Sequence, residues 1–111
     1  MHKIKRILSI LAATTMTTFA YGGSSTGKVA GIYMHSPDIV MFSAGQMNNP
    51  PSCAAGTKQW AISLSDPAGK GFLAILLSAQ AQGKTVTVYG YSNTCRDWGD
   101  RELPSYIIIT D

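Results

Sequence analysis

Charge, histidine and cysteine are all scarce in this chain, and each scarcity excludes a class of chemistry. Charged residues make up 14% of the 111 residues, histidine occurs twice and cysteine twice. The cysteines, Cys53 and Cys95, lack the Cys-x-x-Cys spacing of redox and metal sites. With His35 as the only histidine beyond the first 20 residues, no zinc ligand set is available. Ser36, His35 and Asp38 lie on one predicted turn, so they do not converge as a hydrolytic triad. Gly69-Lys70-Gly71 falls inside a helix start without the spacing of a phosphate-binding loop. The composition therefore points to no enzyme, no cofactor and no metal. His35 with Asp38 are the candidates if there is catalysis. No apolar run is long enough to span a bilayer.

The first 20 residues read as an export signal. His2, Lys3, Lys5 and Arg6 make a basic start, Ile7 to Ala13 an apolar run, and Thr18-Phe19-Ala20 a small-residue cleavage site, with cleavage expected after Ala20. The formal charge of +3 comes from nine basic and six acidic residues, and three of the basic ones, Lys3, Lys5 and Arg6, lie in the leader. The mature chain is thus neutral and has no long-range field to gather nucleic acid or anionic lipid. Export to the periplasm or beyond turns two cysteines into an expected Cys53–Cys95 disulfide. Such a link closes a loop of about 43 residues, for which chain entropy gives up to about 4 kcal/mol.

Beyond a tail expected to be flexible at 21–27, residues 28–111 read as one small domain. Lys28 to Met34 and Asp38 to Ser43 read as strands joined at His35-Ser36-Pro37-Asp38. A loop with Pro50 and Pro51 leads to a third strand, Lys58 to Leu64, with Trp60, Ile62 and Leu64 on one face. The period then becomes helical. Asp66 is the cap, Pro67 the first position and Gly83 the stop, although Gly69 and Gly71 weaken the first turn enough to place the effective start near Lys70. Phe72, Leu76 and Ala79 form one stripe, with Leu73 and Leu77 in a row beside it. Lys84 to Tyr91 alternates Val86 and Val88 with Thr85, Thr87 and Tyr89. Pro104 to Thr110 is the last strand, apolar enough to be covered on both faces. Between them lies a polar loop where Trp98 is expected over the disulfide. Asp100 and Glu102, beside Arg96 and Arg101, are expected to form surface ion pairs.

Five strands with one helix between the third and fourth is the order of the OB-fold, a small Greek-key barrel whose helix plugs one end. An open α+β sheet with the helix on one face is the alternative. An OB-fold binds oligonucleotides or oligosaccharides across its strand face and loops, and the neutral mature chain, with Tyr33, Tyr89, Tyr91, Trp98 and Tyr106, fits sugar better than nucleic acid.

Pro51-Ser52-Cys53-Ala54, Lys58-Gln59-Trp60-Ala61, Leu77 through Lys84, Cys95 to Trp98 with Asp100 and Glu102, and Tyr106-Ile107 together resemble a group of short exported proteobacterial proteins of unknown function. More distantly, size, leader, disulfide and element order are similar to the OB-fold B subunits of AB5 toxins of the subtilase-cytotoxin and typhoid-toxin type. That resemblance implies a non-catalytic, glycan-binding module, a homopentamer and a catalytic A subunit as partner. Ala30-Gly31-Ile32 stands where those subunits carry their glycan-contacting serine, so the nearby Tyr33, His35 and Ser36 are the binding candidates. The rival expectation is a periplasmic envelope OB-fold protein that binds a protein partner.

Overall fold

In a computed structural model, residues 22–91 and 94–110 are described, so the expected leader and cleavage site lie outside the described residues. Five strands and one helix follow in the order β1 (Ser24–Ser36), β2 (Ile39–Ala44), β3 (Trp60–Ser63), α1 (Pro67–Gln82), β4 (Thr85–Gly90) and β5 (Pro104–Ile109). A short 3-10 turn, Ser52–Ala54, precedes β3. All sheet neighbours are antiparallel, in the spatial order β3-β2-β1-β4-β5.

β1 organises the sheet because it serves two partners in succession. Its first half, Ser24 to Lys28, pairs with Tyr89 to Thr85 of β4, and its second half, from Val29 on, pairs with β2. Between Ala30 and Tyr33 the register slips, and Gly31 sits there at φ 57°, a conformation suited to glycine at a bulge. The stretch expected as a flexible tail is corrected in part: Ser24 to Gly27 are paired strand, and Ser24 also exchanges backbone hydrogen bonds with Asn48 at 3.0 and 2.7 Å.

The expected OB-type barrel is met only coarsely. The edge strand β3 meets the segment that enters β5 at one parallel bridge, Trp60 opposite Glu102, where Ala61 N–H donates to the Glu102 carbonyl at 3.1 Å. The ladder does not continue from there, so the sheet is open.

The helix obeys its local signals. Asp66 Oδ1 accepts from Ala68 N–H at 3.1 Å, Pro67 opens the helix, and Gly83 closes it at φ 64°. Lys28 Nζ reaches the Gly83 carbonyl. The helix starts at Pro67 rather than near Lys70, because Gly69 lets the first turn press against β3: a Cβ there would collide with the Ser63 carbonyl. Leu76 and Ala79 are fully buried and Phe72 and Leu73 partly so, whereas Leu77, placed with the inner row by its spacing, is exposed.

Val40, Phe42, Trp60, Ile62, Leu76, Ala79, Val86, Val88 and Ile107 share one core. On the other face of β2 and β3, Ile39, Met41 and Ala61 form a smaller cluster covered by Trp98. β3 is therefore buried on both faces. β5 is not: Ile107 is inside, whereas Tyr106, Ile108 and Ile109 are exposed. Three consecutive isoleucines satisfy a half-buried strand as readily as a sandwiched one, which is why composition misplaces it.

Candidate functional site

The polar loop between β4 and β5 is held at several points. The disulfide joins Cys95 to Cys53 in the turn before β3, as the export reading expects. Arg96 donates to Asp97 at 2.9 Å and to Asp66 at 2.7 Å, which ties the loop to the helix cap. The hydrogen bond from Arg96, aided by Ala68 N–H, holds the Asp66 carboxyl below its ordinary value, and the two aspartates raise the Arg96 guanidinium. Glu102 closes the loop from the other end through its carbonyl.

Held in this way, the loop lays Trp98 on the outer face of β2 and β3. Its ring packs against the Ile39, Met41 and Ala61 cluster and lies 4.2 Å from the His35 ring, at an interplanar angle of 55°. Sequence reasoning put Trp98 over the disulfide. The structure makes it the partner of His35.

Beside this ring pair, Tyr33 hydroxyl donates to Gln59 Oε1 at 3.2 Å. Arg101 donates to the same oxygen through Nε at 3.2 Å and Nη2 at 3.1 Å, while its Nη1 pairs with Asp100 at 2.6 Å. One amide oxygen thus takes three donors, and Gln59 Nε2 has no acceptor among the described residues. Tyr33 remains 42% exposed. Two of the three sequence candidates, Tyr33 and His35, therefore lie on one surface with Trp98, Gln59 and Arg101. Ser36 ends β1 opposite Ile39 and makes no contact with this group among the described hydrogen bonds.

Gln59 and Arg101 were missed as site residues. They lie 42 positions apart, and no local pattern joins them. Asp100 does form the expected surface ion pair, but Glu102 does not. Its side chain is fully buried and accepts from Gly23 N–H with both oxygens, at 3.1 and 2.9 Å. Burial pushes its carboxyl above the ordinary range, opposed in part by that N–H.

The site offers ring faces, a planar amide and a guanidinium on a surface framed by a strand turn and a loop. These are groups that stack on and hydrogen-bond to a flat polar ligand. Among the described residues no cluster of three or more metal-ligating side chains occurs, and no helix is long and apolar enough to cross a membrane. Compared with protein-family models, with curated proteins and with solved structures, the chain matches none.

Proposed function

We propose that this chain is an exported, non-catalytic binding module of the OB-fold type, freed of its leader after Ala20. In this reading its ligand is a glycan seated on Trp98, His35 and Tyr33 and hydrogen-bonded by Gln59 and Arg101. The observation that carries the reading is the convergence of Tyr33 and Arg101 on Gln59 Oε1 beside the His35–Trp98 ring pair. Aromatic faces stack on sugar rings, and planar amide and guanidinium groups match their hydroxyls. The element order and the bridge from β3 to the segment that enters β5 support the OB-fold assignment. In such folds the strand face and the loops flanking it do the binding, and the proposed site occupies both.

The two tryptophans provide the test. Trp60 is fully buried and Trp98 is not, so a ligand at the site changes the emission of Trp98 alone. A glycan array on the mature protein selects the sugar, and fluorescence titration of that sugar measures its affinity. Binding is expected to weaken at least tenfold in Trp98→Ala and in Gln59→Ala. An array without signal, or a bound sugar whose affinity both variants retain, overturns the assignment.

A second reading, assembly as a toxin-like B subunit, has its own observation. β5 is an edge strand whose Tyr106, Ile108 and Ile109 are exposed, and it carries no charged residue to discourage pairing. A homopentamer that covers this edge, with an A subunit seated on it, is the assembly this reading names. Light scattering on the eluted mature chain is expected to give five times the chain mass. A monomer at micromolar concentration overturns the pentamer and favours a periplasmic module that works alone on a protein partner.

A further inference from the structure

Among the described residues the two edges of the sheet are finished differently. At β3, Ala61 N–H pairs with the Glu102 carbonyl, and the Ser63 carbonyl accepts from Asp66 N–H at 3.2 Å beneath the first turn of the helix. The parallel ladder would next need a donor at Pro104, whose nitrogen carries no hydrogen. From there on, the outer side of β5 has no neighbouring strand.

The direction of the β5 backbone follows from its ladder with β4. Thr110 N–H donates to the Thr85 carbonyl at 2.9 Å, in register with the facing pairs Thr87–Ile108 and Tyr89–Tyr106. Bonded pairs alternate in an antiparallel ladder. The N–H and C=O groups of Tyr106, Ile108 and Thr110 therefore face β4, and those of Ser105, Ile107 and Ile109 face away. None of these outward groups has a hydrogen-bond partner among the described residues. Ile107 is only 7% exposed, and backbone groups so nearly out of water are costly to leave unpaired. Tyr106 and Ile108 add exposed apolar side chains, and no residue of β5 carries a charge that would repel an identical strand.

We propose that the occupant of this edge is a second copy of the chain: two β5 strands pair antiparallel about a two-fold axis at Ile107 and join their sheets into one. This register sets Ser105 opposite Ile109 of the second copy and Ile107 opposite its own equivalent, so every outward N–H and C=O of these residues finds a partner. An axis at Tyr106 would set Ile109 opposite Leu103, whose N–H and C=O are already bonded to Thr94 and Tyr91. An axis at Ile108 would carry Ser105 beyond the end of the strand. About Ile107, Tyr106 meets Ile108 of the second copy, an aromatic and β-branched pair of the favoured kind, and the Tyr89–Tyr106 stack at 4.7 Å continues into it. Pro104 falls opposite Thr110, at a position whose backbone faces β4, so its missing hydrogen costs the pairing nothing. The pairing takes the edge that the pentamer reading also names and gives it a different neighbour. It does not depend on what the surface around Trp98 binds. One strand pair is a small interface, below about 1,200 Å2 in total, so the dimer is weak and concentration-dependent.

Sedimentation equilibrium of the purified protein, from micromolar to millimolar concentration, is expected to show monomer and dimer in exchange. Its chain mass is measured first by mass spectrometry, so removal of the leader does not enter the count. Tyr106→Lys/Ile108→Lys sets like charges opposite each other across the axis and is expected to weaken dimerisation at least tenfold. Tyr106→Glu/Ile108→Lys sets opposite charges there and is expected to restore it. If both variants dimerise as the wild type does, or if neither does although circular dichroism shows the native fold, the register is overturned. A wild type that stays monomeric at millimolar concentration overturns the pairing. One that sediments at five chain masses overturns it too and favours the pentamer. Hydrogen exchange on the wild type decides even where a variant does not fold. The Ser105, Ile107 and Ile109 amides are expected to gain protection as concentration rises, and exchange at a concentration-independent rate overturns the pairing.

Discussion

Both carboxyl oxygens of Glu102 accept from the backbone N–H of Gly23, a residue 79 positions earlier in the chain. The contact joins the start of β1 to the segment that enters β5, next to the point where β5 approaches β3. Three glycines leave the space for it.

That space is tested at Gly90. A methyl group there strikes the Glu102 carboxyl, so Gly90→Ala is expected to destabilise the fold by about 1–3 kcal/mol, the range for forcing atoms into a packed interior. Gly56 has nothing within 4 Å of an added Cβ, so Gly56→Ala serves as the neutral control. Denaturant midpoints of the two variants measure the difference.

The helix offers a paired test. Gly69 faces the Ser63 carbonyl and Gly71 faces open space. Gly71→Ala is expected to stabilise by up to about 1 kcal/mol through helix propensity alone. Gly69→Ala is expected to destabilise, because its collision outweighs the same gain. Urea unfolding of both variants checks the opposite signs.

Trp60 Nε1 donates to Ser25 Oγ at 3.0 Å in the interior, and both residues are fully buried. Ser25→Ala leaves the indole N–H without this partner and is expected to cost about 1–3 kcal/mol. Ser25→Thr retains the hydroxyl but adds a methyl in a packed site, so it separates loss of the bond from crowding. Thermal unfolding of the three chains measures both effects.

The raised carboxyl of Glu102 sets a pH dependence with a definite sign. Burial raises it in the folded state, so the native form holds its proton more tightly than the unfolded chain. This stabilisation is complete below the unfolded glutamate value, about 4.3, and is lost as pH rises through the raised folded value. Asp66 acts in the opposite sense: its lowered carboxyl stabilises above the ordinary aspartate value and ceases to do so as pH falls. The difference in unfolding free energy between wild type and Glu102→Gln isolates the glutamate. Wild type is expected to gain on the variant as pH falls from 7 toward 4.

Reduction of the Cys53–Cys95 bond tests how the site is held. The disulfide anchors the loop that carries Trp98 and Arg101, so reduction is expected to lower stability by up to about 4 kcal/mol and, on the proposed reading, to weaken sugar binding with it. Melting and fluorescence titration with and without reductant measure both, with Cys53→Ser/Cys95→Ser as the permanent form. Unreduced exported protein is expected to show no free thiol.

Much of the fold is legible locally. Asp66, Pro67 and Gly83 mark the helix ends because caps, proline and a left-handed stop act within a few residues. Val86 and Val88 identify the inner face of β4 because alternation is a property of one strand. The errors come where local signals are degenerate. Gly69 reads as a weak helix residue until its contact with Ser63 is seen, and the isoleucines of β5 read as doubly covered although one face is open. Tyr33 and His35 enter as candidates through their place beside Ala30-Gly31-Ile32 in the toxin B-subunit resemblance, and the structure sets them on one surface. Gln59 and Arg101 join that surface only through hydrogen bonds between residues far apart in the chain, which no local pattern shows.

The sequence by itself determined the order of strands and helix, the capping residues of the helix and the pairing of the only two cysteines. Periodicity, capping and oxidation state are written in short stretches or in bare counts. Tertiary structure alone decided that Glu102 is interior, that Trp98 faces His35 and that Tyr33 and Arg101 share Gln59. Each of these depends on groups distant in the chain being brought within hydrogen-bonding or stacking range. That range is set by how β1 bends to serve two partners and by where the last loop is pinned, and no window of neighbouring residues contains either.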